Sequence, residues 1–395
     1  MGSSEEEELT FGEAEMNVFK QNLKGVKALM ESGITRIPNA YVKPLDERPT
    51  KLSAAAAADG NKIEIPVIDL ADLDGDGQDQ VVKTIGEACE KWGFFQVINH
   101  GVPTSVIHSM MQVCQEFFDL PTEEKMELYS DDTLKPVRFG TSYSLSKDTV
   151  LEWRDYLRCP CRPLSDFIHL WPAKPSTFRE VTMEYSKEIA ALAKRLCYAL
   201  SESLGLESEC LYEVIGKHQQ ILMPNHYPAC PNPDLTIGLS AHSDAGGITI
   251  LLQDHVGGLE VFNEGQWIAV KPLPDAFVVN LADQTQILTN GKYKSVEHRA
   301  TVNAQRARIS ISTFFQPAAD AKIAPIPELL GGQPPMYRES LFGVYLRDFF
   351  TNRLNRKSAV DSLKLSGKTK TRKSHTVQGF KKKLRKCRNC INRAP

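Results

Sequence analysis

Apolar positions change their period part-way along this chain. Up to about residue 205 they recur every three or four residues, the mark of helices with one buried stripe. Val82, Ile85, Cys89 and Trp92 predict a helix near 78–92, and Ile107, Met110, Met111, Cys114 and Phe118 predict another that opens at Pro103 and Thr104. Val181, Tyr185, Ile189, Leu192, Leu196 and Leu200 predict a long helix over about 177–204. For that helix Thr177 and Glu180 have capping-box spacing, and Gly205 suits the C-terminal cap. A weak helix around Val26, Leu29 and Met30 and a last one near 336–352, through Tyr337, Leu341, Tyr345, Phe349 and Phe350, complete the helical set.

From about 218 onward the period becomes that of strands. Short apolar runs punctuated by Pro, Gly, Asn and Asp follow one another: Ile221–Met223, Ile248–Gln253, Gly258–Phe262, Gln266–Val270, Ala276–Leu281, Ser295–Val302 and Arg308–Phe315. Two earlier runs, Ile65–Leu70 and Gly93–Ile98, also read as strands. Strands at this density predict an α+β chain whose core is an antiparallel double-sheet barrel or a jelly roll (a double-stranded β-helix), buttressed by N-terminal and C-terminal helices. The expected organisation is an N-terminal helix and linker over 1–62, a helical region over 63–210, the jelly-roll core over 211–320, a C-terminal helix over 321–355, and a disordered basic tail over 356–395. Within the first part, Ala54–Ala58 followed by Asp59-Gly60 reads as a mobile linker.

Composition narrows the class. At 395 residues and 42% hydrophobic the chain can bury a sizeable core. No run approaches the roughly 18 apolar residues of a membrane span, and the acidic start lacks the basic and apolar parts of a secretory signal. A cytoplasmic protein is expected, with no membrane partner and a monomer as the default. The nine cysteines follow no disulfide framework. Neither Cys159/Cys161 nor Cys387/Cys390 has a second pair at zinc-site spacing. Residues 364–395 hold twelve of the 47 basic residues and none of the 49 acidic ones, so the body is acidic and does not look like a nucleic-acid enzyme. The Lys381–Lys386 run reads as a solvated tail, with nuclear localisation as its alternative, and trimming the chain after Thr351 is expected to leave turnover unchanged. The loop Asp72-x-Asp74-x-Asp76-Gly77 opens like a calcium loop but has Lys83 where a bidentate glutamate is required, so a plain polar turn is expected.

Candidate chemistry gathers late in the chain. His242 and Asp244 stand two apart at a strand's end, so both side chains leave one face. With His298 they would complete the 2-His-1-carboxylate facial triad of non-haem Fe(II) oxygenases. Arg308 and Ser310 share the face of another strand. An arginine in a barrel interior needs an anion, and a 2-oxoglutarate carboxylate would supply one.

Over about 63–350 the chain resembles the plant 2-oxoglutarate-dependent dioxygenases. The resemblance rests on Ile65-Pro-Val-Ile-Asp-Leu, Trp92-Gly-Phe-Phe-Gln-Val-Ile-Asn-His-Gly, Asn225-x-Tyr-Pro-x-Cys-Pro, His242-x-Asp, Ile248-Thr-Ile-Leu-Leu-Gln-Asp, Tyr293-Lys-Ser-Val-Glu-His298-Arg and Arg308-x-Ser310. It implies iron held by His242, Asp244 and His298, and 2-oxoglutarate held by Arg308, Ser310 and Tyr227, with Asn225 supporting the metal end. It also implies O₂ as oxidant, succinate and CO₂ as products, and ascorbate as reductant. His226, Ala229 and Ala282 depart from the family's usual tyrosine, proline and glycine, and put substrate fit in question rather than chemistry. Tyr129-Ser-Asp-Asp, Thr141-Ser-Tyr-Ser and Glu152-Trp-Arg-Asp-Tyr-Leu-Arg look most like the branch of downy-mildew-resistance salicylate hydroxylases and flavone synthase I enzymes. That implies a small aromatic or phenolic substrate, with Phe314, and more weakly Phe139 and Tyr143, in its pocket.

Other readings are a zinc hydrolase, a catalytically silent binding member of the fold, or a dioxygenase acting on a hormone or other non-phenolic acid. The hydrolase leaves Arg308, Ser310 and Tyr227 unexplained. The silent member would bury four costly polar groups without their ligands.

Overall fold

A computed structural model describes residues 22–49, 63–132, 135–142, 150–351 and 357–365, together with Phe19. The Ala54–Ala58 linker, Tyr143 and the Lys381–Lys386 run lie outside these residues. Among them the strands of three or more residues are β1 Val67–Asp69, β2 Phe94–Ile98, β3 Arg138–Thr141, β4 Asp155–Pro160, β5 Gln219–Tyr227, β6 Leu239–His242, β7 Ile248–Gln253, β8 Leu259–Asn263, β9 Gln266–Ala269, β10 Phe277–Leu281, β11 His298–Ala300 and β12 Arg308–Gln316. Eight form one sheet in the order β1-β2-β10-β7-β12-β5-β4-β3, and four form a second in the order β6-β11-β8-β9. Apart from the parallel β1–β2 edge, every neighbouring pair in these two sheets is antiparallel. This is the jelly roll that the strand pattern predicts.

The helices follow their stripes. Besides short helices such as the N-terminal α1 (Val26–Glu31), the long ones are α2 (Gln78–Lys91), α3 (Thr104–Asp119) and α4 (Phe178–Ser203); both α2 and α3 pack on α4. Ile85, Cys89, Met110, Phe118, Ile189 and Leu196 are buried where these helices meet the large sheet. The expected capping box does not form: Thr177 sits at φ −86°, ψ −5° and makes no side-chain cap bond. A cap hydroxyl reaches the first free amides only from extended backbone. The other end matches expectation, with Gly205 at φ +74° and the Leu206 N–H donating to Ser201 O.

Later come α5 (Asp283–Leu288), α6 (Phe342–Thr351) and α7 (Ser358–Asp361). The last corrects the expected boundary at 356. Ala359, Val360 and Leu363 are buried in the main core, and the Arg338 N–H donates to Leu363 O. These few apolar residues need no core of their own because they dock on one already formed. Tyr337, expected in the last helix, instead precedes it, bridged to Lys364.

β4 shows how alternation positions the site. Trp153 and Asp155 face the N-terminal segment: the Trp153 ring packs 4.9 Å from that of Tyr41, and the Asp155 carboxylate accepts the Val26 and Lys27 amides at 2.8 Å each, holding the start of α1. Arg154, Tyr156 and Arg158 face the opposite way, into the barrel.

Candidate active site

His298 stands opposite His242 in the β11–β6 pairing, and Asp244 follows β6 by two residues. The ligand atoms of the three lie within 4.8 Å of one another, and no other such group occurs among the described residues. Both Nε2 atoms stand 3.6 Å from Asp244 Oδ1. Each Nδ1 is engaged by a carbonyl, His242 with Ser240 O at 2.8 Å and His298 with Val296 O at 3.1 Å. A protonated Nδ1 donating to a carbonyl leaves the Nε2 lone pair for a metal.

Asp244 is aimed in the same way. Its Oδ2 accepts from Thr249 Oγ1 at 2.6 Å and from Asn280 Nδ2 at 2.8 Å, which leaves Oδ1 facing the imidazoles. Burial would raise this carboxyl, but the His298 and His242 rings and the Thr249 hydroxyl outweigh it and hold it well below the usual range. Burial, reinforced by neighbouring His242, pushes His298 down to about 4, keeping it neutral and ready to ligate. Phe94 lies edge-on 5.2 Å from the His298 ring. It follows Gly93 (φ +62°), where a Cβ would stand 2.2 Å from Lys294 O, so no larger residue fits that crossing.

A second group lies on β12 and β5, deeper in the same cavity of about 50 Å³. Arg308 pairs with Tyr227 and Ser310 with Asn225 across the strands. The buried Arg308 guanidinium donates to Ser310 Oγ at 3.3 Å and Gln253 Oε1 at 3.2 Å, and lies 5.1 Å from the Tyr227 ring centre. No carboxylate pairs with it among the described residues, and Arg308 Nε and Gln253 Nε2 have no partner. A buried cation so placed suits a small dianion that reaches from the arginine to a metal. Asn225 is already engaged, its Oδ1 accepting from Arg154 at 3.1 Å and its Nδ2 donating to Met223 O at 2.8 Å.

Phe314 lines this cavity and a second one of about 160 Å³ that shares Arg154, Met223, Leu239, His242 and Asp244 with it. Phe139 does not reach either. On β3 the even positions face the cavity, so Phe139 points into the helical core against Phe117, a correction that strand alternation explains. His226 likewise turns away from the site and stacks on Phe118, so this departure touches no pocket atom.

Sequence reasoning missed several lining residues. Asn280 is a lone polar residue in an apolar strand, a signal that could have been used. Arg138, Arg154 and Arg158 gave none, because β3 and β4 carry no legible alternation of apolar and polar positions.

Comparison with known proteins agrees with this geometry. The profile described as the 2OG-Fe(II) oxygenase superfamily matches residues 218–317, and that of the non-haem dioxygenase in morphine synthesis N-terminal region matches 65–174. The chain is 45% identical to DMR6-like oxygenase 2 of Arabidopsis thaliana over 338 residues, 85% of this chain and 96% of that one. It is 44% identical to flavanone 3-dioxygenase 2 of Oryza sativa subsp. japonica over 327 residues, 82% and 93% of the two chains. The crystal structure of JOX2 in complex with 2OG, Fe and JA superposes with a TM-score of 0.79 at 38% identity, covering 88% of this chain and 99% of the other.

Proposed function

The chain belongs to the 2OG-Fe(II) oxygenase superfamily, and on that premise we propose that it hydroxylates or desaturates a small aromatic or phenolic metabolite, such as salicylate or a flavanone. The enzyme is a 2-oxoglutarate-dependent dioxygenase that uses Fe(II). When bound, iron and 2-oxoglutarate with O₂ supply the oxidation and release succinate and CO₂.

The chain's own residues prepare that chemistry. His242 and His298 would offer Nε2 and Asp244 would offer Oδ1, a donor set that suits Fe(II). Arg308, with Ser310 and Tyr227, takes the distal carboxylate of 2-oxoglutarate, and Asn225 holds Arg154 at the edge of the same cavity. Phe94, Leu259 and Leu251 wall the metal side and exclude water.

The observation that carries the substrate class is the cavity of about 160 Å³ beside His242 and Asp244, walled by Phe314, Tyr156, Met223, Ile221 and the α6 residues Phe349 and Phe350. A cavity of roughly 150 Å³ takes one benzene-sized ring, so salicylate would fit within it and a flavanone would enter it with one ring. A relative named as a flavanone 3-dioxygenase supports the same class.

The test is succinate release from 2-oxoglutarate, with Fe(II) and ascorbate, across salicylate, naringenin and unrelated acids. One phenolic should raise turnover, and the His242→Ala protein should not respond. A panel in which only non-aromatic acids couple would refute the proposal.

A further inference from the structure

The wall of the substrate cavity is built in rows set by strand register. β12 and β5 pair Ser310 with Asn225, Ser312 with Met223 and Phe314 with Ile221, stepping outward from Arg308. β4 continues each row: Tyr156 stands opposite Asn225, and the same register sets Arg158 beside Met223. On the far side Arg138 is the direct partner of Arg158. The Arg158–Arg138 row thus lies two steps from Arg308, roughly 13 Å along the strands at about 3.3 Å per residue.

This row is cationic, with Arg138 buried and Arg158 half-buried. The Tyr156 ring lies across Gly140, where a Cβ would stand 2.7 Å from it, and the guanidiniums of Arg154 and Arg138 flank that ring at 5.0 and 5.8 Å. Arg158 donates to Pro136 O at 2.6 Å and Arg138 to Lys135 O at 3.1 Å. Burial, reinforced by Arg138, pushes Arg158 down to about 10. Outward, the cavity meets a groove of about 860 Å³ that adds Arg162, His218 and Arg347. Among the described residues, the metal ligand Asp244 is the single carboxylate lining the cavity, and none lines the groove.

We propose that the substrate is a carboxylate anion whose acid group is held by Arg158, with Arg138 beside it, while its ring lies between Met223, Ile221 and Phe314 beside the iron. This rests on the reading of an aromatic substrate above and selects acids over neutral phenols within it. The planar fork of Arg158 matches a carboxylate bidentately, and the low-dielectric wall strengthens the pair.

Affinities of salicylate, benzoate and 4-coumarate, each beside its primary amide, test this by calorimetry on the full chain with Fe(II) and 2-oxoglutarate under anaerobic conditions. Naringenin serves as a neutral reference. At least one acid should bind about ten-fold or more tighter than its amide, the effect of one charge-assisted pair. That gap should collapse in Arg158→Gln and survive in part in Arg158→Lys, with 2-oxoglutarate affinity unchanged. Equal binding of every acid and its amide, or a gap that Arg158→Gln leaves intact, would overturn the proposal. Acids that show the gap yet are never oxidised would sink the aromatic-oxidation reading alone. Naringenin bound and oxidised with no acid preference would sink this inference alone.

Discussion

Removing the chain beyond Thr351 tests whether residues 357–365 belong to the folded enzyme. From sequence, that cut is expected to be harmless. In the structure Lys357 Nζ donates to Ser295 O at 2.5 Å and to Gln286 Oε1 at 2.8 Å, and the Ser295 N–H donates to the same Gln286 oxygen at 2.9 Å. Ser295 Oγ in turn bonds Asp283 Oδ1 at 2.7 Å, and Asp283 Oδ2 accepts from Tyr345 at 2.5 Å and Ser243 at 3.2 Å. Burial raises Asp283 to about 6, and it is the tyrosine and serine hydroxyls, with Lys357 nearby, that keep it from going higher. Ser295 lies three residues before His298, whose Nδ1 is engaged by Val296 O.

Hydrogen bonds from a charged donor contribute roughly 1.5–3 kcal/mol each, so Lys357→Met should cost about 3 kcal/mol after partial relaxation. At roughly 2.1 cal/mol/K per residue, a unit of this size would lose about 4 °C in Tm. Cutting at Thr351 also removes the buried Val360 and Leu363, worth roughly 1.5–3 kcal/mol each, a large share of a typical total stability of about 5–15 kcal/mol. Thermal unfolding and succinate release should therefore fall in the order full chain, chain ending at Leu365, Lys357→Met, chain ending at Thr351, with the first two alike. A Thr351 truncation that melts and turns over like the full chain would refute the assignment of this segment to the core.

Three other outcomes follow from the site. Arg308→Leu removes the guanidinium proposed to hold the co-substrate and should cost roughly 3–5 kcal/mol of 2-oxoglutarate binding, at least about a hundred-fold in Kd, with iron affinity retained; an unchanged Kd would remove Arg308 from that role. Gly238→Ala would set a Cβ 2.5 Å from the Tyr227 ring, so the KM for 2-oxoglutarate should rise several-fold while iron still binds; an unaltered KM would show that Tyr227 does not touch the co-substrate. Burial lowers His226 from 6.5 to about 4, so the unfolded chain takes up its proton first. Its contribution is complete above pH 6.5 and is lost as pH falls toward 4, up to about 3 kcal/mol. His226→Phe should flatten the stability profile across that window, and denaturant melts at pH 7 and pH 4.5 that shift equally in both proteins would contradict this.

What the sequence revealed tracks how strongly each element depends on a repeating pattern. Helix α4 falls within a residue of its expected ends because thirteen of its side chains are buried along a regular stripe. The iron triad is legible because His242, the end of β6, and Asp244 stand two apart, a spacing that Arg308 and Ser310 repeat on β12. β3 and β4 are not legible because they are short and nearly every residue in them is buried, Arg138, Asp155 and Tyr156 included, so neither reads as a half-buried strand. Phe139 was misplaced for the same reason: without β3 its parity could not be assigned. The buried contacts of Lys357 left no trace, since a lysine in a basic tail reads as solvated until its partners, more than sixty positions earlier, are brought beside it.

The stepped pairing of β5 with β12 works as a graduated ruler. One end is Arg308, proposed above to hold the co-substrate, and each further mark lies two residues outward, roughly 7 Å on. Replacing the side chains at one mark changes how long a molecule can lie against the scale, and which of its carbons meets the metal, without shifting the zero. New specificities can therefore be written on this wall one line at a time, whereas a slip of a single residue would turn every mark to the wrong side at once.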